Sequence, residues 1–166
     1  MSRMAFRVLN ECGNSSNHLS KAGKNMLIYD LLTKEKRNLN FLGKSEKNID
    51  IVDRMFTELK KHCVLVDDLK NIETEDAYTN LKIKDIELLY EKYEEKIKNN
   101  FLDENDSLSV LVDLLDETKM FDNTLIFIDE FLGFTGQEYK IFDKLIKKAK
   151  EITVAIPANN LEKENI

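Results

Sequence analysis

Asp129 and Glu130 are the side chains best placed in this sequence to do chemistry. They close an unbroken apolar run, Leu125-Ile-Phe-Ile128. A short continuous apolar run rich in branched and aromatic residues reads as a β-strand buried on both faces. Carboxylates at the carboxyl end of such a strand lie where open α/β sheets bind their ligands. The order apolar strand, Asp, Glu has the form of a Walker B motif. In that chemistry the first carboxylate holds Mg²⁺, commonly through water, and the second polarises the water that attacks a γ-phosphate. The plain alternative is that two acids simply open a loop after a strand, which many sheets do.

The segments around the strand must position that pair. After the strand comes Gly133-Phe-Thr-Gly-Gln137, then a helix over 137–150, then a second apolar run over 152–156 closed by Pro157. Strand, helix and strand in such short compass make a parallel βαβ unit with a right-handed crossover. The 158–166 tail is polar and reads as frayed. Two strands alone leave edges and faces uncovered, so the unit reads as part of a larger sheet and the chain as an internal fragment of a longer protein.

Everything before the strand is helical by periodicity. Met4, Ala5, Val8, Leu9 and Cys12 share one face over 3–12, with no capping residue ahead of them. A helix over 20–36 carries a broad apolar face that includes Met26, Leu27, Ile28 and Tyr29. One over 45–62 has Ser45 as N-cap, and a short turn at Asp67 or Asp68 follows. The longest helix, over 74–99, is capped by Thr74; Tyr90 and Tyr93 lie in its stripe, as core rather than base-stacking residues. Asp106 caps the next, with Leu108, Leu111, Val112 and Leu115 on its face. The expected architecture is therefore mainly α with a C-terminal parallel βαβ unit: a helical region of about six helices over 1–120, the βαβ part over 121–157, and the tail.

Composition narrows the classes. Hydrophobic residues make up 42%, enough for a packed core, and one proline with five glycines favours long helices over many turns. Charge is uneven: residues 1–71 carry 13 Lys/Arg against 9 Asp/Glu, and residues 72–166 carry 12 against 22. A polyanion would therefore meet the first half, with Lys34, Lys36, Arg37, Lys44 and Lys47 as candidate phosphate contacts. Solvated helix ends explain the same residues. No secretory signal precedes Cys12 and Cys63 and no apolar run reaches membrane length, so a cytoplasmic protein with reduced thiols is expected. His62-Cys63 has no second pair at ligand spacing and does not read as a metal site.

Gly43-Lys44-Ser45 does not complete a phosphate-binding loop. The pattern G-x-x-x-x-G-K-[ST] needs glycine at 38, where Asn38 stands, and a strand before it, where a helix ends. The acids thus lack, within this sequence, the backbone cradle and lysine that grip nucleotide phosphates.

The order of these features resembles superfamily 1A helicases of the UvrD/Rep type. The carriers are a long helix with two tyrosines, the acidic Leu102-Asp-Glu-Asn-Asp-Ser-Leu108, then Leu125-Ile-Phe-Ile-Asp-Glu-Phe131 and a following glutamine, Gln137. Arg3-Met-Ala-Phe-Arg-Val8, Gly43-Lys-Ser-Glu-Lys-Asn-Ile49 and Phe127-Ile-Asp-Glu-Phe-Leu-Gly-Phe-Thr135 are similar, more closely, to clostridial-type sequences of the AddB family, the second subunit of the AddAB helicase–nuclease. The resemblance covers nearly the whole chain. It implies a helical 1B-type insertion that returns to a P-loop helicase-like core, a parent complex with an AddA-type subunit acting on DNA ends in recombinational repair, and ATP, Mg²⁺ and a four-iron, four-sulfur cluster in that parent. The two cysteines present cannot hold such a cluster, so no cofactor is expected in the fragment. By the same resemblance Asp129 would be the Mg²⁺-associated carboxylate, Glu130 the water-activating one and Gln137 a motif II glutamine. Leu132-Gly-Phe134 stands where those helicases have Gln-Asp-Thr, and the chain alone is not expected to hydrolyse ATP. It would then be a non-catalytic scaffold facing DNA or a partner. Two rival readings are a stand-alone helical interaction adaptor without a nucleotide role and, more remotely, a Mg²⁺-dependent phosphohydrolase.

Overall fold

The computed structural model describes residues 2–13, 17–45, 48–98, 101–103, 105–129 and 133–156, with Ser2 and Lys44 as backbone only. Glu130, Lys47, Pro157 and the 158–166 tail lie outside the described residues. The order is α1 (Ser2–Glu11), α2 (Lys21–Lys34), a 3-10 turn (Leu42–Lys44), α3 (Asn48–Lys61), α4 (Val66–Lys70), α5 (Ala77–Ile97), α6 (Asp106–Leu114), β1 (Leu125–Ile128), α7 (Gly136–Lys148) and β2 (Glu151–Val154). The described residues are mainly helical, with one small parallel sheet among them.

Local chemistry explains the boundaries. Ser20 accepts the Gly23 amide at 3.1 Å and starts α2. Asp76, not Thr74, caps α5, accepting the Tyr78 and Thr79 amides. Thr74 is instead held by Asn80, at 2.7 Å between side chains. Asp106 is likewise not a cap: it is the first residue of α6, and its carboxylate is taken by Lys60 at 2.5 Å. The first described residue of α3 is Asn48, three positions beyond Ser45, whose backbone is extended. Thr135 and Glu138 form a reciprocal capping box at α7, satisfying two amides that the helix cannot.

Two apolar clusters hold the fold. The first joins α2, α3, α4 and α5 through Ile28, Leu31, Val52, Phe56, Leu69, Leu89, Tyr90, Tyr93 and Ile97. The Phe56 ring lies 5.2 Å from Tyr90 and 4.9 Å from Tyr93, centre to centre. Both tyrosines are buried as core, as the helical spacing predicts. Each fully buried side chain of this size contributes about 1.5–3 kcal/mol. The second cluster joins α1, α6 and α7 through Ala5, Val8, Leu111, Leu115, Ile141 and Leu145, with Ile126 and Ile152 of the strands against it. The buried face of α2 is narrower than its sequence implies: Met26 and Tyr29 are exposed, and Lys24 takes an inward place in line with Ile28, Leu31 and Leu32.

The chain therefore runs from the second cluster into the first and back again. The two crossings touch. His18 and Leu102 form a parallel bridge, with the Leu19 amide donating to the Leu102 carbonyl at 2.9 Å and the Leu102 amide to the Asn17 carbonyl at 2.8 Å.

β1 and β2 pair in parallel, Leu125 opposite Glu151 through Ile128 opposite Val154, and α7 makes the crossover. The strand is not covered on both sides. Ile126 and Ile128 face the second cluster side, while Leu125 is 56% and Phe127 75% exposed. The physical reason is that Ile126 and Ile152 pack on the second cluster, while Leu125 and Phe127 have no such cover among the described residues. Among the described residues no helix is long and apolar enough to cross a membrane.

Candidate functional site

β1 carries Asp129 to the carboxyl end of the strand, where the residue is exposed. Its neighbour Glu130 is outside the described residues, so the pair is seen by its first member. The start of α7 is fixed from three directions. The Thr135–Glu138 box closes its amide end. Gly136 rests on the end of α3: a Cβ there would lie 2.9 Å from the His62 carbonyl oxygen and 3.0 Å from its carbon. Gln137 is 1% exposed, and its amide nitrogen donates to the Asn105 carbonyl at 2.7 Å and to Ser109 Oγ at 2.9 Å, both at the start of α6. The segment after the acidic strand end is thus anchored to α3 and α6 at once.

The basic candidates lie elsewhere, on the turn after α2. Lys34 is paired with Asp30 at 2.9 Å, and Asp30 also takes Lys96 at 3.1 Å. Lys36 and Arg37 are exposed on the following turn. Lys44 belongs to the 3-10 turn, with its side chain outside the described residues, as is all of Lys47. This turn is not loose. Asp85 of α5 accepts the amides of Asn40 at 2.8 Å, Phe41 at 2.8 Å and Leu42 at 3.0 Å, together with the Asn40 side chain at 2.9 Å. Burial opposes the ionisation of Asp85, but the amide donors outweigh it and hold the carboxyl below the usual range. Gly43 presses on the backbone of Lys36, so the turn folds back on itself.

Sequence reading missed a buried ionic cluster between the two apolar clusters. Asp103, 2% exposed, accepts the Tyr93 hydroxyl at 2.8 Å and lies 3.5 Å from Lys24 Nζ and 3.8 Å from Lys60 Nζ. Lys24 also reaches Asp53 at 2.8 Å, and Lys60 reaches Glu94 at 2.9 Å and Asp106. Burial disfavours the Asp103 carboxylate, yet Lys24 and Lys60 overcome it and keep it below its ordinary value. Burial would also discharge Lys60; Asp106 and Glu94 reverse that and raise it. Burial pushes the Tyr93 phenol up, with Asp103 adding to it, so the hydroxyl stays a donor. A signal was available: Lys24 precedes Ile28 and Leu31 in one stripe, and Lys60 continues Val52 and Phe56 at steps of four. A lysine in register with a core face must be paired inside or reach out along its stem.

Fold and site together define a class: mainly helical proteins with a parallel βαβ unit whose first strand delivers a carboxylate to its open end. Within that class the sequence matches the family described as "ADDB, N-terminal" over residues 1–166, and the chain belongs to that family. Among its relatives is the AddB-type subunit of the ATP-dependent helicase/deoxyribonuclease of Clostridium tetani, 34% identical over 96% of this chain and 15% of the relative. The corresponding subunits from Clostridium botulinum (Loch Maree strain) and Acetivibrio thermocellus are 33% and 30% identical over 93% and 97% of this chain. The chain spans about 15% of the length of these relatives.

Proposed function

We propose that this chain acts as part of the N-terminal region of an AddB-type subunit of an ATP-dependent helicase/deoxyribonuclease, working with an AddA-type partner on DNA. The βαβ unit over 121–157 contributes to a P-loop helicase-like core, and the helical region over 1–120 is its 1B-type insertion. The carrying observation is the half-covered sheet: Asp129 stands at the end of a strand whose outer face, Leu125 and Phe127, is exposed and apolar. Such a strand is complete only when further strands and helices cover it. In this reading Asp129 and Glu130 meet Mg²⁺ and nucleotide in the whole subunit, with the phosphate cradle supplied by other parts of it. An exposed carboxylate at a strand end fits that part, because Mg²⁺ bound to nucleotide keeps several waters and needs few protein oxygens. Gln137, held on α6, supports that loop by fixing where α7 begins. The chain by itself is a scaffold rather than an ATPase.

The exposed Lys36 and Arg37, on a turn pinned by Asp85, supply a fixed cationic point toward DNA. The test uses the reconstituted two-subunit enzyme with Lys36→Glu and Arg37→Glu. DNA-end binding should weaken, and the slope of log affinity on log salt should become shallower by about one per lost phosphate contact. Unchanged binding and slope would remove this turn from the DNA path. ATP turnover by the isolated chain that disappears in Asp129→Asn would overturn the scaffold reading.

A further inference from the structure

The turn that carries Lys36 and Arg37 and the start of α5 build one surface. Gly43 folds the turn back on the backbone of Lys36, and Asp85 holds the amides of Asn40, Phe41 and Leu42. Lys82 and Tyr78 stand one and two helical turns before Asp85, on the same face of α5. The Phe41 ring of the turn meets both. Its centre lies 6.3 Å from that of the Tyr78 ring, tilted by 54°, and 6.0 Å from Lys82 Nζ. Tyr78 is 68% exposed, and neither ring is part of the two apolar clusters. A large ring braced at the surface by a neighbour, rather than packed in a core, offers a flat π face to solvent. Three acids nearby are engaged by the protein's own donors. Asp85 takes the turn amides, Asp76 takes the Tyr78 and Thr79 amides that begin α5, and Glu35 takes the Asn38 side chain at 2.7 Å. Lys36, Arg37 and Lys82 are exposed, and among the described residues none of the three forms a salt bridge.

We propose that this surface binds an unpaired strand of DNA, with one base stacked on Tyr78 and the flanking phosphates met by Lys36, Arg37 and Lys82. The inference deepens the reading of this turn as DNA-facing and rests on it; what it adds is the state of the DNA. Cations alone do not tell a strand from a duplex, because both carry phosphates. An exposed ring does, because a base offers its face to a side chain only when it has left its pair and its stack. Every base has such a face, so the site selects single strands without selecting a sequence. Asp85 gives the surface its rigidity: the turn with Lys36 and Arg37 and the helix with Tyr78 and Lys82 are held in one relative position by a single buried carboxylate. Phosphate contacts and stacking ring are thereby set side by side before the strand arrives.

The test uses the reconstituted two-subunit enzyme, without ATP or Mg²⁺ so that no DNA is unwound or degraded. The probe is a thymine-rich oligonucleotide carrying iodine-substituted deoxyuridine, which on illumination joins an aromatic ring stacked against it. Mass spectrometry locates the adduct. The expected result is an adduct on Tyr78 with the single strand, and about fivefold less or none with a blunt duplex of the same sequence, where no base is free to stack. Tyr78→Trp should keep the adduct at that position. Lys36→Glu with Arg37→Glu should lower its yield and flatten its dependence on salt. The two levels of inference separate here. If the charge reversal leaves DNA binding unchanged, the DNA-facing reading fails and this inference falls with it. If the reversal weakens binding while Tyr78 takes no adduct, or takes strand and duplex equally, the DNA-facing reading stands and the unpaired-strand inference is overturned. Enzymatic iodination of the two-subunit enzyme before DNA is added supplies the last check. Tyr78 should be modified readily, and a ring already shielded there would belong to a protein contact, which would also overturn the proposal.

Discussion

The Tyr93 hydroxyl donates to Asp103 at 2.8 Å, and through that bond the centre of the first apolar cluster is joined to the segment that leads into the second. Lys24 and Lys60 approach the same carboxylate from α2 and α3. Removing it leaves two lysines and a phenol facing a void in a desolvated place. Asp103→Ala should therefore lower stability by about 3–5 kcal/mol, the usual penalty for breaking a buried ionic group on one side. Tyr93→Phe, which removes one bond and keeps the ring, should lose only about 1–2 kcal/mol. Urea unfolding of the two variants measures both, and similar losses would show that the ring, not the ionic group, carries the junction.

Asp85 makes the second prediction. Its folded pKa is depressed, because burial is outweighed by the amides of Asn40, Phe41 and Leu42. The stabilisation it gives is complete above the unfolded value of about 3.9 and is lost as pH falls through the lower folded value. The turn carrying Lys36 and Arg37 should accordingly stay pinned to α5 at neutral pH and release in acid. Amide hydrogen exchange at Phe41 and Leu42 reports this, and Asp85→Asn should remove the protection at every pH. Protection independent of pH in the parent chain would contradict the assignment.

Gly136 makes the third. A methyl group there meets the backbone of His62 at 2.9–3.2 Å, and backbone cannot swing aside as a side-chain tip can. Gly136→Ala should destabilise by about 1–3 kcal/mol although alanine is the better helix former. A stabilised variant, read by thermal melting, would mean that α7 does not seat on α3.

Phe127 makes the fourth. In the isolated chain its ring is exposed, so Phe127→Ser should change stability by no more than about 0.5 kcal/mol while reducing self-association in sedimentation. In the full-length subunit the same change should destabilise markedly if further strands or helices cover that face. Equal tolerance in both would count against a larger sheet.

The elements were legible because their signals are local. Six apolar periodicities became the helices α1, α2, α3, α5, α6 and α7, the short turn expected at Asp67 or Asp68 became α4, which starts at Val66, and two short apolar runs became β1 and β2. Cap positions were less legible, since Thr74 and Asp76 are both good N-caps and the choice falls to which one Asn80 holds. Burial of β1 was misread for a different reason. Leu125 and Phe127 are written for a face that stays exposed among the described residues, and a periodic pattern records the environment a segment wants, not what lies on it here. The partners of Lys24, Lys60, Asp103 and Gln137 were hidden because they lie on other elements, and no spacing along one helix encodes a meeting between several.

The bridge between His18 and Leu102 places the two crossings of the chain side by side. Helices α2 to α5 thus leave the second cluster and rejoin it at one spot, as a detour whose ends are stitched together. To the remaining structure such a detour is a module held at few places: its host senses two neighbouring chain ends, the ionic contacts beneath them and the seat of Gly136 on the end of α3, not the length or shape of what hangs beyond. A lobe of this kind can be enlarged, trimmed or exchanged over evolutionary time while the strand that ends in Asp129 keeps its place.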